Sequence, residues 1–126
     1  AERFASDTAY EPGTVVALGG AEEITAVNEE ASDEVFGVIS TAPGVELNAG
    51  AGTDETHPFV ALAGRVPCKV VGVVRKGDRL ITSDTPGHAT CAIMTDVLDY
   101  RYIIGRALAD KPDSGEGVIE IVVGAK

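Results

Sequence analysis

Hydrophobic and polar positions alternate most clearly over residues 61–85 of this chain. Val66, Cys68 and Val70 occupy every second position there, and a period of two places successive side chains on opposite faces of a β-sheet. Gly77 and the residues on either side of it then form a turn signal, because glycine accepts positive φ angles that other residues avoid. The apolar pattern resumes at residues 79–82. The segment therefore predicts short strands joined by tight turns.

Similar short apolar runs occur along the whole chain, separated by segments rich in Gly, Pro and Asp. They predict further strands over residues 13–18, 23–27, 35–40, 59–64, 88–94, 101–109 and 118–123. Residues 95–100 are ambiguous between a loop and a short helix. A spacing of roughly 8–12 residues between strands favours a barrel or a sandwich over a parallel sheet. We expect an all-β fold, a compact β-barrel or β-sandwich of about nine or ten short strands, with little or no helix.

The length of 126 residues predicts one domain with a core of its own. Residues 1–12 show no clear period and are interpreted as an N-terminal arm or lead-in, while residues 13–126 form the single β domain. Residues 42–57 are Gly-rich and acidic, and a loop of this length often projects from a domain or touches a partner. No run of 18 apolar residues occurs, so no membrane-spanning helix and no membrane partner are expected.

Charge is distributed unevenly along the chain, whose formal net charge is −10. Residues 1–57 contain twelve acidic residues and one cation, and residues 58–126 contain eight acidic residues and nine cations. The acidic excess argues against nucleic-acid binding, which requires a basic surface. It is interpreted either as a solvated face or as a surface that meets a basic partner or binds divalent cations between subunits.

Few residues in the chain suggest catalytic or metal chemistry. Asp84, His88 and Cys91 lie within eight residues of one another, but their spacing matches no closed zinc pattern. Cys68 and Cys91 both lie in apolar runs and are expected to be buried thiols, unless their strands are neighbours and allow a disulfide. Nucleophile-elbow and phosphate-binding glycine patterns are absent from the sequence. We therefore predict no cofactor, no metal and no catalytic residue, and do not expect an enzyme.

The order of short motifs resembles a domain found near the C-terminus of tailed-phage tail-fibre and appendage proteins. The resemblance lies in AERF, YEPGTVVALGG, VFGVIS, the block ALAGRVPCKVVGVVRKGDRLITSDTPGHA, IIGRALAD and GEGVIEIVVG. It implies a structural protein located in the virion, which forms a homo-oligomer, a trimer, and contacts other virion proteins. Such a domain would build, cap or register a fibre or appendage.

A more distant similarity leads to the autoproteolytic intramolecular-chaperone domain of phage appendages. Ala1 to Phe4 match the end of its opening motif, in which an Asp marks the cleavage point and a nearby Glu assists. That Asp would precede Ala1, so Glu2 is the one position that carries over, and one-time autoproteolysis is the only activity the resemblance implies. Two further alternatives are a capsid decoration protein that uses residues 1–12 as an arm, and receptor or glycan binding by residues 42–57.

The predicted subunit interface combines the aromatic residues of the lead-in, the apolar run 35–39 and the cations of the central block. Apolar burial would drive the association. The cations would form a counter-surface for the acidic first half, within one subunit or across an interface. The candidate interface residues are Phe4, Tyr10, Val35, Phe36, Val38, Arg65, Lys69, Arg75, Lys76 and Arg79.

Overall fold

The computed structural model of the chain describes residues 1–40, 47–93 and 100–125, and their regular structure is almost entirely β. The prediction of an all-β, barrel-type fold is confirmed, with ten strands in these residues and two isolated 3₁₀ turns at Ala49–Ala51 and Tyr100–Tyr102. The strands are Glu2–Arg3 (β1), Val15–Leu18 (β2), Ile24–Ala26 (β3), Val35–Ser40 (β4), Phe59–Ala61 (β5), Gly64–Val71 (β6), Arg79–Thr82 (β7), Ala89–Cys91 (β8), Gly105–Ala107 (β9) and Glu116–Val123 (β10).

The first half of the chain forms a five-stranded antiparallel sheet in the order β1-β5-β4-β2-β3, which we call the first sheet. Its β2–β3 hairpin turns at Gly19 and Gly20, whose φ angles of 141° and 78° suit glycine. A bulge lies between Val16 and Ala17 where β2 pairs with β4. The sheet thus follows the strand and turn signals of the sequence, with β1 added at one edge.

The second half forms a small closed barrel in the order β10-β6-β8-β7-β9, with β9 pairing back onto β10. β6 and β10 are its longest strands and pair over eight residues each, with Cys68 opposite Ile119. β6 runs parallel to β8 through the pair Val70 and Ala89, and the other neighbours run antiparallel. Within the described residues, no helix is both long and apolar enough to span a membrane.

The core has two main parts, and the period of two sends neighbouring residues of one strand into different parts. Val15 and Val38 belong to the larger cluster, which fills the barrel and extends under the first sheet. Val16 and Ile39, the next residues along β2 and β4, point to the opposite face and join a second cluster with Ile24 and Val60. Each face of the first sheet therefore buries its own apolar set.

The strand predicted over residues 101–109 is shorter than the sequence suggests. Residues 100–102 form a 3₁₀ turn, and β9 begins only at Gly105. Ile103 and Ile104 are both buried, but in different apolar clusters. Ile104 lies in the larger cluster, and Ile103 lies in a small third cluster with Ile81 and Ala92. These two residues therefore connect the clusters and do not belong to a strand. Glycine is required at the first position of β9, because a Cβ on Gly105 would lie 1.9 Å from the Val122 carbonyl oxygen.

Other predicted boundaries also differ. The strand predicted over residues 88–94 is observed as β8, residues 89–91, and its last predicted position lies outside the described residues. Residues 42–46 of the predicted loop and residues 95–99 of the ambiguous segment also lie outside them. Residues 1–12, interpreted from the sequence as a lead-in, include β1 and pack against the first sheet through Phe4 and Tyr10.

Candidate functional site

A groove whose lining side chains are mostly apolar lies where the first sheet meets the barrel. It has a volume of about 140 Å³. Val35 and Phe36, two of the predicted interface residues, form part of its wall, and Leu62 and Tyr100 lie at the surface with 40% and 67% exposure. The other lining residues are Gly37, Arg101, Ile103, Ile104, Val123 and Gly124. The groove thus joins partly buried and exposed apolar groups in one surface, which is the composition of a protein-binding patch.

The shape of the groove depends on a close approach between β4 and β5. A Cβ on Gly37 would lie 2.5 Å from the Ala61 carbonyl oxygen and 2.7 Å from Val60 Cγ1, so glycine is required there. The same Cβ would lie 3.2 Å from Leu62 Cδ2. Gly37 therefore lets the two strands and the exposed Leu62 side chain come together at the groove.

The N-terminal residues close the first sheet by bonding to both of its edges. On the β5 side, Phe4 N–H donates to the Pro58 carbonyl at 3.2 Å and Ser6 N–H donates to the Thr56 carbonyl at 2.9 Å. On the β3 side, the amides of Glu23 and Ile24 both donate to the Ala5 carbonyl, at 2.9 and 3.0 Å. Residues 1–6, which we call the closing segment, therefore bridge two strand edges that would otherwise present unpaired backbone groups.

Two side chains anchor the closing segment. The Phe4 ring packs edge-on against Phe36 with centroids 4.9 Å apart and covers the second apolar cluster. The Arg3 guanidinium lies 4.1 Å above the Phe59 ring. It also donates to Asp54 Oδ1 at 2.9 Å and to two backbone carbonyls of residues 49 and 57. Arg3 therefore ties β1 to the described part of the acidic loop, residues 47–57.

Three other residues singled out from the sequence, Tyr10, Val38 and Glu2, lie in different environments. Tyr10 packs against the second apolar cluster, and its hydroxyl donates to Asp7 Oδ1 at 2.6 Å. Val38 has 0% exposure and lies in the larger apolar cluster. It has no exposed atoms that could contact a partner, so it is not an interface residue in this fold. Glu2 lies in β1, opposite Val60, at an edge of the first sheet.

The predicted cations lie on the barrel half of the molecule. Lys69 forms an ion pair with Glu11, and the hydrogen bond from its ammonium lowers the pKa of that carboxyl. Arg65 opens β6 at an exposed position, and Arg75 and Lys76 are exposed in the turn before β7. Among ion pairs of the described residues, Lys69–Glu11 is the one that joins the barrel to the first sheet. Arg79, at the start of β7, is half-buried.

The boundary between the two sheets nearly coincides with the boundary in charge. The first sheet ends at residue 61, and the acidic excess of the sequence is confined to residues 1–57. Six of those carboxylates are exposed in the turns that flank β3 and precede β4, namely Glu22, Glu23, Glu29, Glu30, Asp33 and Glu34. The molecule therefore has an acidic end on the first sheet and exposed cations on the barrel.

A caged lysine in the barrel was not identified from the sequence. Lys111 is 5% exposed, and its ammonium donates to the carbonyls of Gly72 at 2.9 Å, Asp113 at 2.8 Å and Gly115. The Asp113 carboxylate lies 3.1 Å away, and the hydrogen bond from Lys111 lowers the pKa of that carboxyl. The cage fixes the turn before β10. Carbonyl partners have no side-chain signature, so no sequence signal could have revealed it.

The residues considered for metal binding do not form a metal centre. His88 Nε2 lies 3.0 Å from Glu116 Oε1, and its Nδ1 lies 2.8 Å from the Pro86 carbonyl. Within the described residues there is no group of three or more His, Cys, Asp or Glu side chains that could hold a metal ion. The expected absence of cofactors stays a prediction.

Both cysteines are free thiols, although their strands are neighbours in the barrel. Burial raises the pKa of Cys68 to about 12. Burial, followed by the nearby Asp78 carboxylate, raises the pKa of Cys91 to about 11. Both thiols therefore stay protonated at neutral pH, and neither has the character of a nucleophile.

Comparison with known proteins adds no assignment: no protein-family model, no curated protein and no solved structure matches this chain.

Proposed function

We propose that this chain is a structural domain of a phage virion that associates with further copies of itself, as a trimer, to build, cap or register a tail fibre or similar appendage. The proposal joins the motif resemblance to one structural observation, the apolar side chains that line the groove between the first sheet and the barrel. A groove that exposes Leu62 beside the partly buried Val35 and Phe36 offers apolar area whose burial favours association.

A second copy is the proposed occupant of this surface because the exposed carboxylates around β3 and three exposed cations of the barrel carry opposite charges. The acidic end on the first sheet of one copy can face the barrel cations Arg65, Arg75 and Lys76 of the next copy. Contacts between unlike surfaces repeat around a ring when the rotation closes, and the motif resemblance supplies the expected number of three copies. The electrostatic part of the association is then sensitive to salt, whose screening length falls from about 10 Å at 0.1 M to about 3 Å at 1 M.

Light scattering on the purified chain tests the proposal. We expect a particle of three times the 13.0 kDa chain mass, which dissociates further as salt is raised. Replacing Leu62 by Glu places a charge in the groove and is expected to weaken association by at least tenfold, because an unpaired carboxylate would be buried. Leu18→Glu is the matched control, since Leu18 is 48% exposed and does not line the groove.

A chain that stays monomeric at high concentration would contradict the proposal, as would equal effects of the two leucine variants. Imaging the native assembly separates a fibre location from a capsid location, the position of a decoration protein. Expressing the chain with its native upstream residues addresses the self-cleaving alternative. A new fragment beginning at Ala1 on a gel supports cleavage, and a persistent full-length band argues against it.

A further inference from the structure

We infer that the closing segment, residues 1–6, is an exchangeable strand, which within the oligomer occupies the first sheet of a second copy. The inference rests on the self-association proposed above and adds the element that passes between copies. The slot that the segment fills, between β3 and β5, is complementary to its sequence. The same six residues of another chain are therefore the proposed occupant.

The slot between β3 and β5 recognises both the backbone and the side chains of its occupant. The Glu23 and Ile24 amides supply donors on one side, and the carbonyls of Thr56 and Pro58 supply acceptors on the other. Any extended peptide could satisfy these groups, as in strand addition to a sheet edge. Selectivity comes from the apolar seat of Phe4 and from the set of acceptors and the aromatic ring that surround the Arg3 guanidinium.

The connection after the closing segment is suited to act as a hinge. Asp7, Thr8 and Ala9 are all exposed, whereas the next two residues are anchored to the body of their own chain. Tyr10 packs on the second apolar cluster, and Glu11 pairs with Lys69. Movement is therefore confined to residues 7–9, which span about 10 Å when extended. The slot of the receiving copy must lie within that reach, so the hinge lies at the subunit interface.

Exchange preserves almost all of the interactions that close the first sheet. Each copy that donates its segment receives one from a neighbour, so the bonds at both edges and the seats of Phe4 and Arg3 are formed again between chains. The hinge gives up the bonds of Asp7, which are the 2.6 Å bond that its carboxylate accepts from the Tyr10 hydroxyl and the 3.4 Å bond from its amide to the Ile24 carbonyl. Domain swapping is favourable under these conditions because the copies of the ring are already close together.

A mixed cross-linking experiment on the full-length chain tests the exchange. One preparation carries Ala5→Cys and the other carries Glu23→Cys with a mass tag, and the two are unfolded together, refolded and oxidised. The pair is chosen because the Glu23 amide donates to the Ala5 carbonyl at 2.9 Å, so the two positions are adjacent across the slot. Ala5 is half-buried and Glu23 is exposed, so each single variant is expected to fold. Glu23→Cys removes the Oε1 acceptor of the Ala5 amide, at 2.7 Å, and keeps the backbone bond between the two positions.

The result expected is a covalent pair of one tagged and one untagged chain, at least fivefold above two backgrounds. The first background is Ala5→Cys mixed with tagged Ser114→Cys, an exposed barrel position, which reports random contact. The second is the wild-type chain, whose two protonated thiols are expected to react slowly. A double variant carrying both cysteines in one chain is run alone as a test of the geometry.

Each outcome is decisive. Oligomers that form without the mixed link, while the double variant closes its disulfide within one chain, overturn the exchange and leave the proposed function standing. A monomer by light scattering overturns both, because no second copy is then present. A double variant that forms no disulfide at all contradicts the adjacency of Ala5 and Glu23 across the slot, and with it the exchange.

Discussion

The first sheet and the barrel are closed by different means, although both contain five strands. In the barrel, β6 and β10 pair over eight residues each and β9 returns to β10, so closure is built from ladders of regular hydrogen bonds. In the first sheet, a strand of two residues and four neighbouring residues bridge the two edges. The barrel is therefore closed by its longest elements and the first sheet by its shortest.

Because the two halves are closed differently, we expect them to differ in what they contribute to the stability of the chain and to its association with other copies. The barrel core is sealed by strands that belong to the same compact unit, and its cluster extends under the first sheet through Val15, Val38 and Ala61. The closing segment contributes Phe4 and Arg3 and is separated from the rest of the first sheet by the exposed residues 7–9. Elements with few buried contacts open at low free energy and are the ones that rearrange in assembly. We expect the barrel to set the stability of the chain and the closing segment to set its partners.

The strongest test of the barrel's role is a cavity in its centre. Ile121 on β10 has 0% exposure and lies between Val66 and Ala107 on the two neighbouring strands. Ile121→Ala is expected to lower the free energy of unfolding by about 2–5 kcal/mol, measured by urea denaturation, because the cavity cannot close fully. Val118→Ala on the same strand is the control, since Val118 is 61% exposed and should cost about 0.5 kcal/mol or less. Equal losses of unfolding free energy from the two substitutions would mean that the barrel core does not dominate the stability of the chain.

Removal of the caged ammonium should have the next largest effect. Lys111→Met keeps most of the apolar stem but leaves the carbonyls of Gly72, Asp113 and Gly115 without their donor. We expect a loss of about 1–3 kcal/mol in the free energy of unfolding. Lys76→Met, at an exposed position, is the control and should be nearly neutral. If the two substitutions cost the same, the cage is not a determinant of barrel stability.

A smaller and more local effect is expected from the closing segment. Phe4 is half-buried against Phe36, so Phe4→Ala should cost about 1–2 kcal/mol, less than a fully buried Phe. Hydrogen exchange measured at individual amides shows which part of the molecule loses stability. The amides of Glu23 and Ile24 donate to the Ala5 carbonyl and should exchange faster, while the barrel amide of Val74, bonded to Lys111, keeps its protection. Uniform loss of protection would show that the two sheets open as one unit.

The sequence predicted those parts of the fold whose signals are local. The period of two placed Val66, Cys68 and Val70 on one face, and all three are buried in the barrel. The turn at Gly19 and Gly20 lies between the strands predicted over residues 13–18 and 23–27, and few residues other than glycine adopt its φ angles. The apolar run at Ile103 and Ile104 was misread as strand, since a run without alternation does not show that its residues serve two separate clusters.

Closure of the first sheet could not be predicted, because its partners are far apart in sequence. Arg3 contacts residues 46 to 54 positions away, and no pattern near Arg3 indicates them. A strand of two residues has no period to detect. The groove has the same origin, since Phe36, Leu62 and Tyr100 meet only when the sheets pack. Val35 and Phe36 were nevertheless included in the interface set, because the sequence marked their strand as apolar at nearly every position.

The smallest expected effect concerns the ion pair that joins the two sheets. The Lys69 ammonium, through its hydrogen bond and then its charge, holds the pKa of Glu11 below the ordinary value of 4.5. A carboxyl whose pKa is lowered by folding stabilises the folded state above its unfolded pKa, and the gain is lost as pH falls through the folded pKa. The pair should therefore contribute fully at pH 7 and disappear on acidification below about pH 4.5.

Lys69→Met tests this coupling when compared with wild type by urea denaturation at several pH values. We expect wild type to be slightly more stable at pH 7, and the difference to shrink as pH falls from 4.5 through the lowered pKa of Glu11 in the folded state, because Glu11 becomes protonated in both folded proteins only there. The exposed Lys76→Met variant should show a difference from wild type that does not change over the same range. A Lys69→Met difference that is constant with pH would mean that Lys69 acts through packing of its stem, and that its ion pair with Glu11 adds nothing to the hydrogen bonds between the two halves, such as that from the Lys69 amide to the Gly13 carbonyl at 2.9 Å.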